Sequence, residues 1–194
     1  MDSFFSLVKS LKLLPGVGEK SAMRFASFIL NNQEKAKNIS SSITTFVDNV
    51  GKCSRCNNIS QKNEICEICQ DSKREKTICI LQTVTDLLLF EKNGVYGGKY
   101  FVLEQLINPI NGIFEEELKL YKLKEIIENE EITEVIVSLG FTPEAEITTE
   151  FIKEYLKDTN IKISKPAQGI PLGADIEYID NLTLQMAFKQ RTYL

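Results

Sequence analysis

Four of the five cysteines stand in two pairs, Cys53-Ser54-Arg55-Cys56 and Cys66-Glu67-Ile68-Cys69, with nine residues between them. A CxxC turn lets two thiolates converge on one ion. Two such turns facing each other complete a tetrahedral S4 shell, which suits zinc. Nine residues are enough for a short hairpin between the pairs, and Lys52 and Arg55 stand close enough in sequence to offset thiolate charge. The segment has few large apolar side chains, so a metal would contribute the stability it lacks. Two disulfides or a redox CxxC are the competing readings. The opening stretch MDSFFSLVKSLKLL has no signal-peptide pattern, which argues for a reducing cytoplasm and against disulfides. A redox motif leaves the second pair unexplained. Cys79, inside the apolar run TICIL, reads as an inert core residue.

The second string able to do chemistry is Leu13-Leu14-Pro15-Gly16-Val17-Gly18-Glu19-Lys20-Ser21-Ala22. Gly16 and Gly18 permit unusual backbone angles and leave amides uncovered, and the helix that follows aims its positive end at the same spot. This is a phosphate-binding geometry. Lys20 and Arg24 are four apart and share one helix face beside it. The arrangement is a helix–hairpin–helix signature, which grips a nucleic-acid backbone without reading bases. A purely structural pair of helices is the plainer alternative. The chain has no histidine, which removes Ser–His and Cys–His nucleophiles and imidazole metal sites.

These groups need elements to hold them. Phe4, Leu7, Val8, Leu11 and Leu14 recur at helical spacing and predict an amphipathic helix over 3–14. Its apolar stripe is a candidate subunit interface. A second helix is predicted from about Glu19 to Leu30, burying Ala22, Phe25, Ala26 and Ile29, and a third from Ala36 to about Val50. Beyond Thr77 the texture alternates. TICIL (77–81), KYFVLEQ (99–105), EVIVSL (134–139) and IKISKPA (161–167) read as buried strands, with helices near 84–92, 115–130, 144–158 and 180–190. That order predicts a mostly parallel sheet covered by helices. No apolar run approaches the roughly 20 residues a membrane span needs. Net charge is −4, but residues 1–78 carry 12 Lys/Arg against 8 Asp/Glu, so the front is basic and the back acidic. Such a front suits nucleic acid.

The order of modules resembles the bacterial recombination mediator RecR family. LLPGVGEKSAMRFA is similar to its helix–hairpin–helix, and CSRC…CEIC followed by Gln70, Asp71 and Arg74 to its zinc finger. YGGKYFVL with Pro109 and Gly112 resembles its Toprim domain, and GIPLGADIEYIDNLTLQMAF its Walker-B-like C-terminal segment. The resemblance implies an α+β multi-module chain: helix–hairpin–helix domain 1–52, four-cysteine zinc finger 53–76, Toprim α/β domain 77–168 and C-terminal segment 169–194. It implies a non-catalytic, clamp-like DNA-binding subunit that forms a homo-oligomer, a dimer or tetrameric ring. Its implied partners are RecO and RecF, with which it seats RecA on single-stranded or gapped DNA coated by single-strand-binding protein. The family's DNA-binding lysine and arginine align with Lys20 and Arg24.

Some positions depart from the family pattern. Toprim enzymes, among them primases, nucleases and topoisomerases, end the first strand on a glutamate; here the residue is Gln82. A carboxamide is neither a general acid nor an anionic metal ligand. An enzyme of that type is the alternative reading. Asp86, Glu144 and Glu146 offer a partner surface or a Mg2+ site, although the loop before the two glutamates, Ser138-Leu139-Gly140-Phe141-Thr142-Pro143, differs from the family's. Glu115, Glu116 and Glu117 are expected to open a helix, and Glu128, Glu130 and Glu131 to be solvated. Asp175, Glu177 and Asp180 could border a nucleotide or a subunit contact.

Overall fold

The structure, a computed structural model, describes residues 1–167 and 169–191. Gln168 and residues 192–194, at the ends of the expected sheet domain and C-terminal segment, lie outside the described residues. The chain divides into two compact units, Met1–Val50 and Gly51–Leu194.

The first unit holds helices α1 (Asp2–Leu11), α2 (Glu19–Asn31) and α3 (Gln33–Asn49). Val8 meets Ala22 and Ala26, whose small side chains let α1 approach α2 closely, and Phe4, Leu7, Leu11 and Val17 pack around that contact. Helix α1 stops three residues short of its predicted end. Leu13 N–H turns back to Ser10 and Leu14 N–H to Leu11, and Pro15 disfavours helix at the residue before it. Phe25 is exposed and Ile29 only half-buried, because α1 covers just the alanine stripe of α2. Of the α1 side chains offered as an interface, Val8 is buried and Phe4, Leu7 and Leu11 are half-buried, while Phe25 and Phe28 of α2 and Ile39, Ile43 and Phe46 of α3 are exposed.

From the last residue of the first unit into the second, β1 (Val50–Lys52) pairs with β2 (Ile59–Gln61), and a one-turn helix α4 (Glu67–Gln70) follows. Then come β3 (Thr77–Leu81), α5 (Val84–Asn93), β4 (Lys99–Val102), α6 (Leu120–Glu130), β5 (Glu134–Val137), α7 (Pro143–Leu156), β6 (Lys162–Ser164) and α8 (Asn181–Lys189). The four-stranded sheet has the order β4-β3-β5-β6 and is parallel throughout. Both faces are buried, as a parallel sheet requires. Ile78, Ile80, Phe101, Val135 and Val137 pack on Leu123, Ile127, Ile152 and Leu156 of α6 and α7. Cys79, Leu81, Tyr100 and Val102 pack on Leu87 of α5.

The expected helix over 115–130 is broken. A 3₁₀ turn at Glu115–Leu118 ends at Lys119, whose left-handed backbone (φ +49°) restarts the chain into α6. Glu115, Glu116 and Glu117 therefore belong to that turn and do not open the helix, and Glu117 accepts the Phe114 N–H at 3.0 Å. Strand β4 is also shorter than its apolar run, because Glu104 takes a left-handed backbone (φ +70°).

Candidate metal centre and nucleic-acid interface

The fold draws the two CxxC turns into one cluster. The four Sγ atoms lie within 4.8 Å of one another, with Cys53–Cys69 at 4.0 Å and Cys56–Cys66 at 3.5 Å. Zinc–sulfur bonds of about 2.3 Å in a tetrahedron place neighbouring sulfurs roughly 3.8 Å apart, so the donor set and its spacing fit the ion. No pair approaches the roughly 2.05 Å of a disulfide, and all four cysteines are free thiols. Each is 1–6% exposed. The Cys53 Sγ also accepts the Cys66 backbone N–H at 3.3 Å, which holds one turn over the other. Cys79 stands apart in the sheet core, its thiol pushed up to about 12 by burial.

Contacts from the sheet frame this cluster. Asn57, left-handed at φ +61° and buried, donates Nδ2 to the Val102 carbonyl at 2.8 Å. Val102 N–H donates to the Cys56 carbonyl at 2.9 Å. Lys99 Nζ donates to the Cys69 carbonyl at 3.3 Å and to Glu130 Oε2 at 2.6 Å, while Arg55 pairs with Glu130 Oε1. Glu130 is therefore not solvated as expected: its side chain is 18% exposed between two cations. Lys52 pairs with Glu104 at 2.6 Å. The two cations nearest the cysteines in sequence are thus engaged by carboxylates, and Lys99, which sequence spacing gave no reason to select, reaches the cysteine segment.

A second polar knot lies where the cysteine module runs into the sheet. Arg74 forms a two-pronged pair with Glu91 at 2.9 and 2.5 Å and donates to the Gly98 carbonyl at 2.9 Å. Tyr100 OH donates to the same carboxylate at 2.7 Å. The Arg74 guanidinium, then Tyr100, holds Glu91 below the usual carboxylate range, and Glu91 raises Arg74 in return. Arg74 was legible only as part of the family string; Glu91 and Tyr100 carried no signal of their own.

In the first unit, Gly16 takes φ +77°, a backbone that side chains avoid. Gly18 is the N-cap of α2, so no side chain caps that helix end. A Cβ added at either glycine would meet nothing within 4 Å. Lys20 and Arg24 are exposed on the first two turns, and Arg24 lies 5.9 Å from the Phe25 ring centroid. Lys12 pairs with Glu19, keeping that carboxylate occupied beside the loop. Amides at an uncapped helix end, the positive pole of that helix and two exposed cations are features that favour an anion.

The predicted acidic residues are dispersed. Asp86 completes the capping box of α5, accepting from Thr83 N–H at 3.0 Å and Thr83 Oγ1 at 2.6 Å. Glu144 and Glu146 lie in the first turn of α7, whose N-cap is Thr142. Among the described residues these three do not form a group close enough to share an ion, whereas the four cysteines do. Glu146 lines a cleft of about 290 Å³ with Ser138, Phe141, Thr149 and Lys165, at the C-terminal ends of β5 and β6. Beside Gln82, Glu104 donates its N–H to the Gln82 carbonyl at 2.9 Å, while its carboxylate is held by Lys52. Asp180 caps α8, accepting the Thr183 N–H at 2.9 Å. Asp175 flanks the short 3₁₀ turn Ile176–Tyr178, which contains Glu177. No helix among the described residues is long and apolar enough to cross a membrane.

Comparison with known proteins gives a match for each of these parts. Residues 5–47 match the family described as RecR, helix-hairpin-helix; residues 50–71, the RecR four-cysteine zinc finger domain; residues 76–167, Toprim domain; and residues 169–192, RecR, C-terminal. Curated relatives include three proteins named Recombination protein RecR. That of Hydrogenovibrio crunogenus is 41% identical over 187 residues, covering 95% of this chain and 94% of the relative. That of Legionella pneumophila is 36% identical over 196 residues, 100% and 98%. That of Francisella philomiragia is 39% identical over 189 residues, 96% and 93%.

Proposed function

The chain belongs to the RecR family of recombination proteins, and from that premise we propose a non-catalytic, DNA-binding mediator of recombinational repair. It acts with RecO and RecF to displace single-strand-binding protein and seat RecA on single-stranded or gapped DNA. The observation that carries the reading is the uncapped end of α2, with Gly16 and Gly18 open to solvent and Lys20 and Arg24 exposed beside them. Such a surface takes backbone phosphates and leaves bases unread.

In this reading Cys53, Cys56, Cys66 and Cys69 hold a structural zinc ion that folds a segment with little core of its own. The working boundaries are 1–52 for DNA binding, 53–76 for the zinc finger, 77–168 for the Toprim domain and 169–194 for the C-terminal segment. Asp86, Glu144 and Glu146 serve as a docking surface for a basic partner, with weak Mg2+ binding as a secondary use. The chain works as a dimer or tetrameric ring, for which the exposed Phe28, Ile43 and Phe46 supply apolar area.

The test is a fluorescence-anisotropy titration of single-stranded and gapped DNA with and without RecO, alongside solution mass by light scattering. Binding that is insensitive to sequence, falls with salt and is altered by RecO is the expected result. A monomer that leaves DNA unbound at low salt overturns the reading.

A further inference from the structure

Four thiolates and one Zn2+ sum to a net charge of about −2. Buried charge of that kind is costly unless nearby groups compensate it. Of the cations close in sequence, Lys52 is engaged by Glu104, and Arg55 shares the Glu130 carboxylate with Lys99, so that those two cations outnumber it by one positive charge. Lys99 reaches the module from strand β4. Its side chain is 13% exposed, and its Nζ bonds the carbonyl of Cys69. Glu130, the last residue of α6, holds Lys99 through one carboxylate oxygen and Arg55 through the other. One carboxylate thus ties the first CxxC turn, through Arg55, to the second, through Lys99.

We propose that Lys99 is a positioning residue of the metal centre: anchored by Glu130, its ammonium fixes the Cys69 carbonyl and offsets the negative charge of the zinc–thiolate cluster. The inference rests on the zinc reading above and adds a residue from outside the cysteine segment. Groups that orient and electrostatically support metal ligands commonly change metal affinity by roughly 10- to 100-fold when removed. Lys99 has both roles, through its hydrogen bond and its charge.

Full-length protein is purified and its zinc content fixed by elemental analysis. Zinc release to 4-(2-pyridylazo)resorcinol is then followed in the wild type, Lys99→Met and Lys99→Arg. The same proteins loaded with Co2+ report ligand geometry through sulfur-to-cobalt charge-transfer and d–d absorption. Lys99→Met is expected to release zinc roughly ten-fold faster with a shifted cobalt spectrum, and Lys99→Arg to return both close to wild type. An unchanged release rate in Lys99→Met overturns the proposal, and so does equal acceleration in both variants, which would mean packing alone. If Lys99→Met does not fold, Lys99→Gln carries the comparison, since it keeps a donor without the charge; faster release supports the role and an unchanged rate overturns it. Absence of zinc from the wild type instead sinks the zinc reading, before any variant is compared.

Discussion

Asn57 donates its side-chain amide to the carbonyl of Val102 at 2.8 Å, across 45 residues of sequence. Val102 returns its own N–H to the carbonyl of Cys56. The first cysteine turn therefore occupies both main-chain groups at the end of β4, an edge strand of the sheet. Edge groups left unpaired invite association with other chains, so the turn covers part of an edge while the edge orients the turn.

Asn57 meets two demands at once, a left-handed backbone and a buried hydrogen bond. Asn57→Ala is expected to lower stability by about 2 kcal/mol, through the lost bond and the φ penalty together. Asn57→Gly keeps the backbone freedom and should cost about 1 kcal/mol. Urea unfolding of zinc-saturated protein measures both; equal losses would remove the backbone part of the argument.

Cys66→Ser should lose zinc and thermal stability together, because the Cys66 N–H and Sγ both face the other cysteine turn and the segment has little other core. Elemental analysis and a thermal melt with and without chelator check it. Full stability of the wild type under strong chelation would show the metal to be dispensable.

The cysteine pairs were legible in the sequence because chelation imposes their spacing locally. So was the run 77–81, which is a strand throughout because both of its faces are buried. Glu130 was not. Its expected solvation failed because its partners, Arg55 and Lys99, arrive from a knuckle and a strand far along the chain. Pairings such as Lys99–Glu130 or Asn57–Val102 depend on tertiary register, which no local periodicity encodes. The break at Lys119 was missed for a related reason: the flanking apolar residues keep helical spacing, and only the backbone reveals the left-handed residue.

Glu91 predicts a pH dependence. Arg74 holds its carboxyl below the ordinary value, so the pair favours the folded state above the usual carboxylate range of ~4.3. That contribution is lost as pH falls through the lower folded value. The melting temperature of wild type should exceed that of Glu91→Gln near neutral pH, and the gap should narrow as pH drops below ~4.3. Thiolate protonation affects both proteins, so the difference isolates Glu91. A gap independent of pH would contradict the assignment.

Replacing Lys20 and Arg24 together with Ala should weaken DNA binding similarly across sequences. The dependence of log affinity on log salt should become shallower by up to about 2 units, as two phosphate contacts disappear. Anisotropy at several salt concentrations measures this. Unchanged affinity in the double variant would move the DNA surface away from α2.

The sheet half is expected to do no chemistry on DNA. Toprim catalysis needs a strand-end carboxylate for proton transfer and clustered acids that hold Mg2+ against a phosphate. At the end of β3 the residue is Gln82, whose amide stays neutral across working pH. Glu104, whose backbone N–H bonds the Gln82 carbonyl, has its carboxylate paired with Lys52. Asp86 spends its hydrogen bonds on the α5 cap, and Glu144 and Glu146 stand in the first turn of α7 with no shared ion-sized group among the described residues. Glu146 is exposed and Glu144 half-buried on that turn, and such carboxylates suit docking of a basic partner, which steers association and weakens with salt. Reversing the charge at Glu144 and Glu146 should therefore impair RecO-dependent RecA loading while zinc content and melting temperature stay near wild type. Supercoiled and single-stranded DNA incubated with the protein and Mg2+ or Mn2+ should remain uncut and unrelaxed. Nicking that follows the protein through purification and disappears in Glu144→Ala would place an enzyme here after all, with Glu144 at its metal site in spite of Gln82.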